Sequence, residues 1–504
     1  MEIELKLLVA RADLDRVLDA EAVKRWSRGR SRTTEVVSRY YDTPAFDLWS
    51  KGLALRLRRA DGRWRQGLKG GGVSAAGLHQ REEYEWPIAA GRIDPALLET
   101  TPYASVFARR RVREGLQQVF STRFRRTVRR LAFADGAQAE LCADLGEIRA
   151  GTRRRPICEV ELELKPGGGS PLPLFGFARE LLQEVPFRLG AFSKAERGYA
   201  LGLEEALRPR KASVVALRPE MNRAEMLRAI AGACLAQIHA NEEGFLQSKD
   251  PEYLHQFRVG FRRLRIALAI PEDPEWRAAL GPLREELRWL FSVLGPVRNW
   301  DVFLSEMLPP LARQLGSEAG LAAFRERCLR LRRRQLALAR EAVRSGRYVA
   351  LLLAIGELLA GRAPAEALDR PATTLAFAGG VIERRDRVLR RHGEALDGAG
   401  AEACHRMRIA AKKLRYCVEF FASLYPQKKV RRYLEALADL QEVLGAVNDA
   451  VVAAAMIEET GAGGRVDARV IGLARGWVAA SEAGARDRLA RAWDGFTQHK
   501  PFWH

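Results

Sequence analysis

Hydrophobic and polar positions follow two different periods along the chain. From residue 1 to about residue 203 they mostly alternate, which is typical of β-strands. From about residue 218 to the end, the apolar positions recur at helical spacing. Pro209 and Pro219 lie in the basic segment between these parts. The pattern therefore predicts an N-terminal domain over 1–205, a linker over 206–217 and a C-terminal domain over 218–504.

Several predicted strands of the N-terminal domain carry charged residues on one face and apolar residues on the other. The charged positions are Glu2, Glu4 and Lys6; Arg56 and Arg58; Arg81, Glu83 and Glu85; and Glu159, Glu161, Glu163 and Lys165. One such strand is typical of a solvated sheet surface. Several strands with both signs of charge favour a closed or nearly closed sheet with a charged interior. The apolar faces then need cover, and the segments 11–25 and 174–185 are predicted helices that supply it. We therefore predict an α+β domain, a closed antiparallel β-barrel with covering helices.

An interior that contains both carboxylates and cations suits a metal-bound polyphosphate. A lumen with only one sign of charge would repel itself. Carboxylate oxygens bind a hard divalent cation, and Arg and Lys neutralise the remaining phosphate charge. Hydrolysis of this ligand needs a positioned water, charge stabilisation and the metal. The alternative is a set of salt bridges across the lumen, which applies above all to Glu83, Glu85, Glu163 and Lys165.

The motifs of residues 1–203 resemble, in order, those of the CYTH superfamily of triphosphate tunnel metalloenzymes. E-x-E-x-K starts at Glu2 and is followed by YYDT (40–43), LALRLR (53–58), GLKG (67–70), HQREEYEW (79–86), FSTRFRRTV (120–128), ADLGEIRAG (143–151), ICEVELELK (157–165) and SKAERGYAL (193–201). E-x-E-x-K alone is a weak signal, but eight further segments in the same order are a strong one. The run most closely resembles the bacterial inorganic triphosphatase branch.

This resemblance implies an inorganic triphosphatase that uses Mg²⁺ or Mn²⁺, with a role for each matching residue. The implied catalytic residues are Glu2, Glu4, Lys6, Glu83 and Lys194. The implied metal ligands are Glu2, Glu4, Asp144, Glu159 and Glu161. The implied phosphate-binding residues are Lys6, Arg56, Arg58, Lys69, Arg81, Arg126, Lys194 and Arg197. Glu83 and Glu163 either support these residues or orient the attacking water, and the sequence leaves both roles open.

The helical half contains one sequence pattern twice. HQFRVGFRRLRIAL starts at His255 and HRMRIAAKKLRYCV at His405, 150 residues later. LGPVRNWD at Leu294 and LGAVNDA at Leu444 have the same separation of 150 residues. Because both elements keep one offset, we infer a duplicated multi-helix unit. We predict an all-α domain of two repeated helical bundles, over about 218–370 and 371–504.

Each repeated helix has a basic face and an apolar face. The basic stripes are His255, Arg258, Arg262 and Arg265 in the first copy and His405, Arg408, Lys412 and Arg415 in the second. The apolar stripes are Phe257, Phe261, Leu264 and Leu268, and Met407, Ala411, Leu414 and Val418. Packing the copies about a pseudo-twofold axis would bring the basic stripes towards one groove or channel. A basic stripe is also what an ordinary solvated helix face shows.

The repeated histidine-plus-basic helix, with the later LG element, resembles the CHAD domain, an α-helical domain with conserved histidines. The resemblance covers roughly residues 218–504 and implies polyphosphate binding by the two basic stripes. Asn299 stands where Asp449 stands in the second copy, and Asp301 is the nearby candidate to replace it.

Charge and composition indicate the kind of partner and the cellular compartment of the protein. The formal net charge of +21 indicates a polyanionic partner, although an Arg-rich solvated surface has the same signature. Six scattered cysteines without a C-x-x-C pair favour a reducing cytosol. The N-terminus begins a strand without a signal-peptide layout, and the most apolar run, 348–359, is too short for a membrane span. We expect a cytoplasmic protein, with polyphosphate granules as a candidate location, no membrane and no obligate protein partner.

Other functions remain open at this point. Both domains could bind polyphosphate without catalysis, as in a granule-associated protein. The barrel could act on a nucleoside triphosphate or thiamine triphosphate, or form a cyclic nucleotide as an adenylate cyclase does. The helical domain could bind nucleic acid on charge alone, but its basic stripes lack the interleaved aromatic residues that stack on bases.

Overall fold

The computed structural model describes residues 1–165, 167, 169–203, 208–316, 320–361, 374–395, 400–462 and 466–504. These residues form two compact units. Unit 1 comprises Met1–Arg208 and Arg344–Arg362, and unit 2 comprises Pro209–Val343 and Ala363–His504. Two of the predicted boundaries lie outside the described residues. One is the end of the first domain and the start of the linker, at 205–207, and the other is the boundary between the repeats, at 370–371.

Unit 1 contains a closed antiparallel β-barrel of eight strands, which confirms the predicted fold class. The strands are β1 (Glu2–Val9), β2 (Ser27–Asp42), β3 (Ala54–Ala60), β4 (Arg63–Ala75), β5 (Leu78–Ile88), β6 (Gln117–Ala132), β7 (Gln138–Ala150) and β8 (Arg153–Leu164). They neighbour one another in the order β5-β4-β3-β2-β6-β7-β8-β1, and pairing of β1 with β5 closes the barrel. A short strand, β9 (Phe187–Leu189), pairs with the end of β1 that β5 leaves free.

Helices cover the apolar outer face of the barrel, as the alternation predicts. The helices of residues 1–203 are α1 (Leu14–Asp19), α2 (Glu21–Trp26), α3 (Pro95–Glu99), α4 (Ala104–Phe107), α5 (Arg110–Gly115), α6 (Leu172–Leu182) and α7 (Lys194–Gly202). The outward residues Leu5, Leu57 and Leu162 are fully buried. The two predicted covering segments therefore form helices, with α1 and α2 in the first and α6 in the second.

The interior of the barrel is charged at one end, as we predicted, and apolar at the other, which we did not predict. Tyr40 stacks on Phe120 with ring centroids 4.3 Å apart. Trp49 stacks on Tyr199 of α7 at 4.5 Å. Val36, Phe124, Ile148 and Ile157 complete this cluster. The strand alternation continues through this end, but the inward positions change from charged to apolar, and their burial with α7 fills the lumen there.

A further helix of unit 1 comes from the second half of the sequence. α13 (Gly346–Ala360) contains the most apolar run of the chain and packs against α6 and β9. Arg179 of α6 donates a 3.1 Å hydrogen bond from Nη1 to Oε2 of Glu357. This run is therefore a covering helix of the barrel unit and is buried along one side.

Unit 2 is helical. Its helices are α8 (Arg223–Gln247), α9 (Pro251–Leu268), α10 (Pro274–Val302), α11 (Leu308–Leu315), α12 (Leu321–Arg344), α14 (Thr374–Gly393), α15 (Ala401–Phe421), α16 (Gln427–Gly461) and α17 (Ala468–Thr497), with a π-helical turn at Phe303–Met307. The two repeated helices are α9 and α15. Their predicted apolar stripes are buried, with exposures of 0–2% for every member. The last residue of α12, Arg344, already belongs to unit 1.

The described part of the linker is fixed to unit 2. Asn241 of α8 accepts a 2.9 Å hydrogen bond from the backbone N–H of Arg210 and donates one of 2.8 Å to its carbonyl. Val215 and Leu217 are buried, and the N–H of Leu217 donates to Ser423 Oγ at 3.0 Å. These contacts fix residues 210–217 on the helices of unit 2, so this part of the linker does not extend freely into solvent.

Among the described helices, α16 alone is long and apolar enough to span a membrane by length and composition. The core of unit 2 contains its residues Leu437, Leu440 and Leu444, which are at most 1% exposed. Long core helices of water-soluble proteins have the same length and composition.

Candidate functional site

Paired charges from neighbouring strands line the charged end of the lumen. Lys6 of β1 is fully buried, and the register places it opposite Glu161 of β8. Its Nζ contacts Glu161 and lies 3.4 Å from Glu159 Oε1 and 3.6 Å from Glu4 Oε1. Burial alone would lower the pKa of Lys6, but these carboxylates outweigh it and raise that pKa. Lys6 is therefore cationic at neutral pH.

Three carboxylates at this end can hold a metal ion. Oxygens of Asp144 on β7 and of Glu159 and Glu161 on β8 all lie within 4.8 Å of one another, and the three residues are buried. Such an all-oxygen set suits Mg²⁺ or Mn²⁺, and the other positions around the ion would be left to water and phosphate oxygens. The chemistry of the donors thus fits the predicted metal.

The two glutamates of this cluster are ionised in the fold. Burial alone would raise the pKa of Glu159, but Lys194, Lys6 and Arg197 lower it to about 2. Lys194, Lys6 and Arg126 likewise hold the pKa of Glu161 well below its usual range. Both groups are therefore ready to bind a cation without losing a proton first.

The predicted metal ligands Glu2 and Glu4 lie outside this cluster of three. Glu4 is 7% exposed and faces Lys6. Glu2 accepts a hydrogen bond from Lys69, whose Nζ also lies 3.5 Å from Glu83 Oε2. The structure thus brings three of the five predicted ligands together and places the other two beside lysines.

Cations line the rest of the cavity, which has a volume of about 980 Å³ with its open mouth. The predicted phosphate-binding residues on its wall are Lys6, Arg56, Arg58, Lys69, Arg81, Arg126 and Lys194. Arg197, the eighth, lies behind the wall and donates to Glu159. Arg126 donates to both oxygens of Asp144 at 2.7 and 2.6 Å. Lys194 Nζ contacts all three clustered carboxylates at 2.6–2.9 Å.

Two arginines of β3 have unsatisfied donors. The Nε groups of Arg56 and Arg58 are buried and have no hydrogen-bond partner among the described residues. Arg56 Nη2 donates to Glu83 at 2.7 Å, but the nearest carboxylate oxygen to Arg58 is 3.9 Å away on Glu85. Burial, Arg56 and Arg126 lower the pKa of Arg58. An anionic ligand would satisfy these donors.

Sequence reasoning missed the residues that position Arg81. Glu196 accepts a 2.8 Å hydrogen bond from Arg81 Nη2, and Ser193 Oγ lies 3.4 Å from Nη1. Ser193 and Glu196 also form the capping box at the start of α7. The S-x-x-E spacing is a visible signal for this box, so the pair could have been recognised as the start of a helix.

In unit 2 the structure brings parts of the two basic stripes into one electrostatic cluster. Arg258 of α9 lies near Arg262 and near Arg298 of α10, and Arg262 also acts on Arg408 and Lys412 of α15. Burial together with these like charges lowers the pKa of Arg258 to about 9 and that of Lys412 to about 7. Buried donors of two of them, Arg258 Nη1 and Arg408 Nε, have no partner among the described residues.

The remaining predicted stripe residues have other partners, although burial and then Arg262 lower the pKa of Arg265. Arg265 stacks over Phe291 at 4.9 Å. Arg415 donates to Glu419 at 2.8 Å and so faces a carboxylate. His405 is exposed, and its Nδ1 lies 3.2 Å from Asn448 Oδ1.

His255 lies beside the basic cluster, and the acidic residues of the two LG elements differ in their contacts. Burial and then Arg298 lower the pKa of His255 to about 4, so this imidazole is neutral at pH 7. Asp449 lies 4.0 Å from Arg408, whereas Asp301 is buried and accepts a 2.6 Å hydrogen bond from Arg332. Sequence reasoning had not singled out Arg298, although it lies within the repeated LG element.

Comparisons with known proteins assign a domain family to each half of the chain. The model of the CYTH domain matches residues 1–199, and that of the CHAD domain matches residues 229–458. The inorganic triphosphatase of Haemophilus influenzae is 34% identical over 170 residues, which are 33% of this chain and 46% of that protein. This chain thus matches about half the length of that relative. An uncharacterized protein of Mycobacterium tuberculosis is 27% identical over 77% of this chain and 76% of its own length.

A solved structure supports the assignment of the helical half. The crystal structure of the CHAD domain from the plant Ricinus communis is 32% identical, with a TM-score of 0.52, and covers 58% of this chain and 98% of that domain. The fold is thus a closed β-barrel with a charged cavity, followed in sequence by a basic helical module. The chain contains a CYTH domain over residues 1–199, followed by a CHAD domain over residues 229–458.

Proposed function

We propose that the barrel hydrolyses inorganic triphosphate with a divalent metal ion, and that the cluster in unit 2 binds polyphosphate. The observation that carries the first part is a cluster of three buried carboxylates, one of which, Glu161, lines a cavity together with seven cations. A polyphosphate anion needs the cations, and a cavity for a bare anion would gain nothing from the carboxylates. The CYTH assignment and the Haemophilus relative support the same class of activity.

In this proposal Asp144, Glu159 and Glu161 hold the metal. The bound ion would neutralise phosphate charge and polarise the phosphorus for attack. Arg56 and Arg58, with their unsatisfied donors, would bind phosphate oxygens. A water molecule would attack the terminal phosphorus, and the bridging P–O bond would break to release phosphate and diphosphate.

Glu163 is the best-placed candidate to accept the proton of that water. It lies on the cavity wall, and burial, Glu2 and Glu161 raise its pKa, although Lys165 opposes them. A carboxylate with a raised pKa is a stronger base than one with the ordinary value. Glu83 has a lowered pKa because Arg56 and Lys69 outweigh its burial. These opposite shifts favour Glu163 as the base and Glu83 as a partner of the cations.

Phosphate release from tripolyphosphate, with Mg²⁺ or Mn²⁺, tests the proposed reaction. Glu161→Gln removes one ligand charge, and we expect its kcat/KM to fall at least about 100-fold. Glu147→Gln is the matched control, because Glu147 lies on the outer face of β7 and pairs with Arg154 instead. Absence of phosphate release from the wild-type protein would contradict the proposal.

A panel of triphosphates decides the substrate. Tripolyphosphate, ATP and thiamine triphosphate are compared at equal metal concentration, and cyclic AMP is measured in the ATP reaction. We expect tripolyphosphate to give the highest kcat/KM, since the described part of the lumen ends in a packed apolar cluster. A higher kcat/KM for a nucleotide, or formation of cyclic AMP, would assign the barrel to the corresponding alternative.

The unsatisfied donors of Arg258 and Arg408 support polyphosphate binding by unit 2. Affinity for long-chain polyphosphate is measured against DNA and RNA of equal charge at one salt concentration. Arg408→Gln should weaken polyphosphate binding about tenfold. Arg406→Gln is the matched control, because Arg406 is exposed and already pairs with Glu402 at 3.3 Å. Tighter binding of nucleic acid would overturn this part, and granule localisation without turnover would favour the non-catalytic alternative.

A further inference from the structure

The helix α13 is encoded within the CHAD half of the sequence, yet it packs on the barrel that contains the candidate active site. Its Gly356 lies against two buried residues, Phe175 of α6 and Ala76 of the turn between β4 and β5. A Cβ atom at Gly356 would lie 2.8 Å from Phe175 Cζ and 3.0 Å from Ala76 Cβ. Any side chain at position 356 would therefore push on the ring or on the turn.

The turn beneath Gly356 is strained and is held by packing. Ala76 and Gly77 are the two central residues of a two-residue hairpin, because Ala75 pairs with Leu78. Both have positive φ, +51° and +78°. This conformation suits glycine but is costly for alanine, so it persists where the surroundings impose it. Ala76 is completely buried.

This turn and the end of β9 hold the backbone of Lys6. The N–H of Lys6 donates to the carbonyl of Gly77 at 2.9 Å, and the N–H of Gly190 donates to the carbonyl of Lys6 at 2.8 Å. The side chain of Lys6 also packs on Gly190, where an added Cβ would lie 2.6 Å from Lys6 Cγ. α13 contacts β9 as well as the turn. One helix thus covers both segments that fix Lys6 on either side.

We infer that α13 is a functional part of the triphosphatase barrel and that Gly356 is a positioning residue for Lys6. Close approach of α13, which only glycine permits at position 356, presses the Ala76–Gly77 turn onto β1 and sets the place of the Lys6 ammonium group between Glu159 and Glu161. The catalytic consequence rests on the proposed function of Lys6. The CHAD half of the sequence then supplies the barrel with an element that its phosphate site needs.

Gly356→Ala in the full-length protein tests this inference. Alanine favours a helix more than glycine does, so any loss must come from packing. We expect kcat for tripolyphosphate to fall about 10- to 100-fold with KM changed less than about threefold, because a displacement near 1 Å costs that much while the charges remain. Gly346→Ala is the matched control, since the nearest atom to its Cβ, Leu182 Cδ1, is at 4.0 Å. It should keep wild-type kcat.

Two further measurements separate positioning from simple destabilisation. Phe175→Leu in the Gly356→Ala background makes room for the added methyl group and should restore kcat at least partly. Hydrogen exchange of the Lys6 amide should be faster in Gly356→Ala and normal in Gly346→Ala, whether or not the barrel is an enzyme. A lowered melting temperature with wild-type kcat, or unchanged exchange at Lys6, would overturn the inference. Wild-type protein without turnover would instead contradict the proposed function.

Discussion

The Nζ atom of Lys194 lies 2.6 Å from Oδ2 of Asp144, within the same group of carboxylates that can hold a metal ion. Lys194 is the first residue of α7, and Asp144 lies in the middle of β7. A lysine and a divalent cation would compete for these oxygens. When phosphate arrives with the metal, the ammonium group has a second anionic partner to which it can move.

Removal of Lys194 should therefore strengthen metal binding but weaken catalysis. Lys194→Met leaves three buried carboxylates without this cation, so we expect Mn²⁺ to bind about tenfold more tightly without phosphate. Hydrolysis of tripolyphosphate should fall at least about 100-fold. Titration of Mn²⁺ followed by electron paramagnetic resonance measures the affinity. The exposed residue Lys51 gives a control, Lys51→Met, and weaker Mn²⁺ binding in Lys194→Met would contradict this account.

Acid should destabilise the protein through Glu159. The folded-state pKa of about 2 lies below the ordinary value of 4.5, so this carboxylate stabilises the fold above pH 4.5 and loses that contribution as the pH falls towards 2. The difference corresponds to roughly 3 kcal/mol. Denaturant unfolding at pH 7, 4.5 and 3 measures the free energy of unfolding. In Glu159→Gln the loss of stability between pH 7 and pH 3 should be smaller by most of that amount, because the remainder is lost only below pH 3. An unchanged pH dependence would refute the assignment.

Polyphosphate binding should take up protons near neutral pH because of Lys412. Burial, Arg262 and Arg408 lower the pKa of Lys412 to about 7, so a substantial fraction of this group is neutral at pH 7.5. A bound polyanion favours the charged form and raises that pKa. Binding should be tighter at pH 6 than at pH 8.

Calorimetry in buffers with different ionisation enthalpies measures this proton uptake. Lys412→Arg keeps the positive charge but no longer titrates in this range. The uptake should be smaller by up to one proton in this variant. Equal uptake by the wild type and Lys412→Arg would assign the proton to another group.

A fragment that ends at Arg208 should be less stable than the barrel within the full chain. It lacks α13, so the face of α6 around Phe175, which is fully buried in the full-length protein, would meet water. We expect a lower melting temperature and binding of a dye that recognises apolar surface. Addition of a peptide with residues 344–362 should reverse part of both changes. A fragment that melts like the full-length barrel would show that α13 is dispensable for its stability.

Much of the barrel and its lumen was predictable from local sequence. The alternation of Glu2, Glu4 and Lys6 with leucines sets which side chains point inward, because neighbouring side chains in a strand point to opposite faces. The separation of 150 residues between His255 and His405 likewise identified the repeated helices. These features depend on neighbours in the chain, so the sequence contains them directly.

The grouping of the site residues was not predictable in the same way. Five carboxylates qualified as metal ligands, and the register of β7 against β8 selects Asp144, Glu159 and Glu161. Arg415 belonged to a predicted basic stripe, but its position next to Glu419 neutralises it. Arg298 lay outside both stripes and joins the cluster because α10 packs against α9.

The sequence by itself determined the inward faces of the strands, the duplication of the basic helix and the kinds of charge in each half. Only the tertiary structure decided that one end of the lumen is apolar, which carboxylates share a cation, and that the apolar run at 348–359 covers the barrel. Local periodicity states which face a side chain occupies, whereas barrel closure and helix packing decide which distant residues meet there. Burial strengthens the interactions between these residues. Charges and strained turns that are shielded from water are stabilised only by the residues around them.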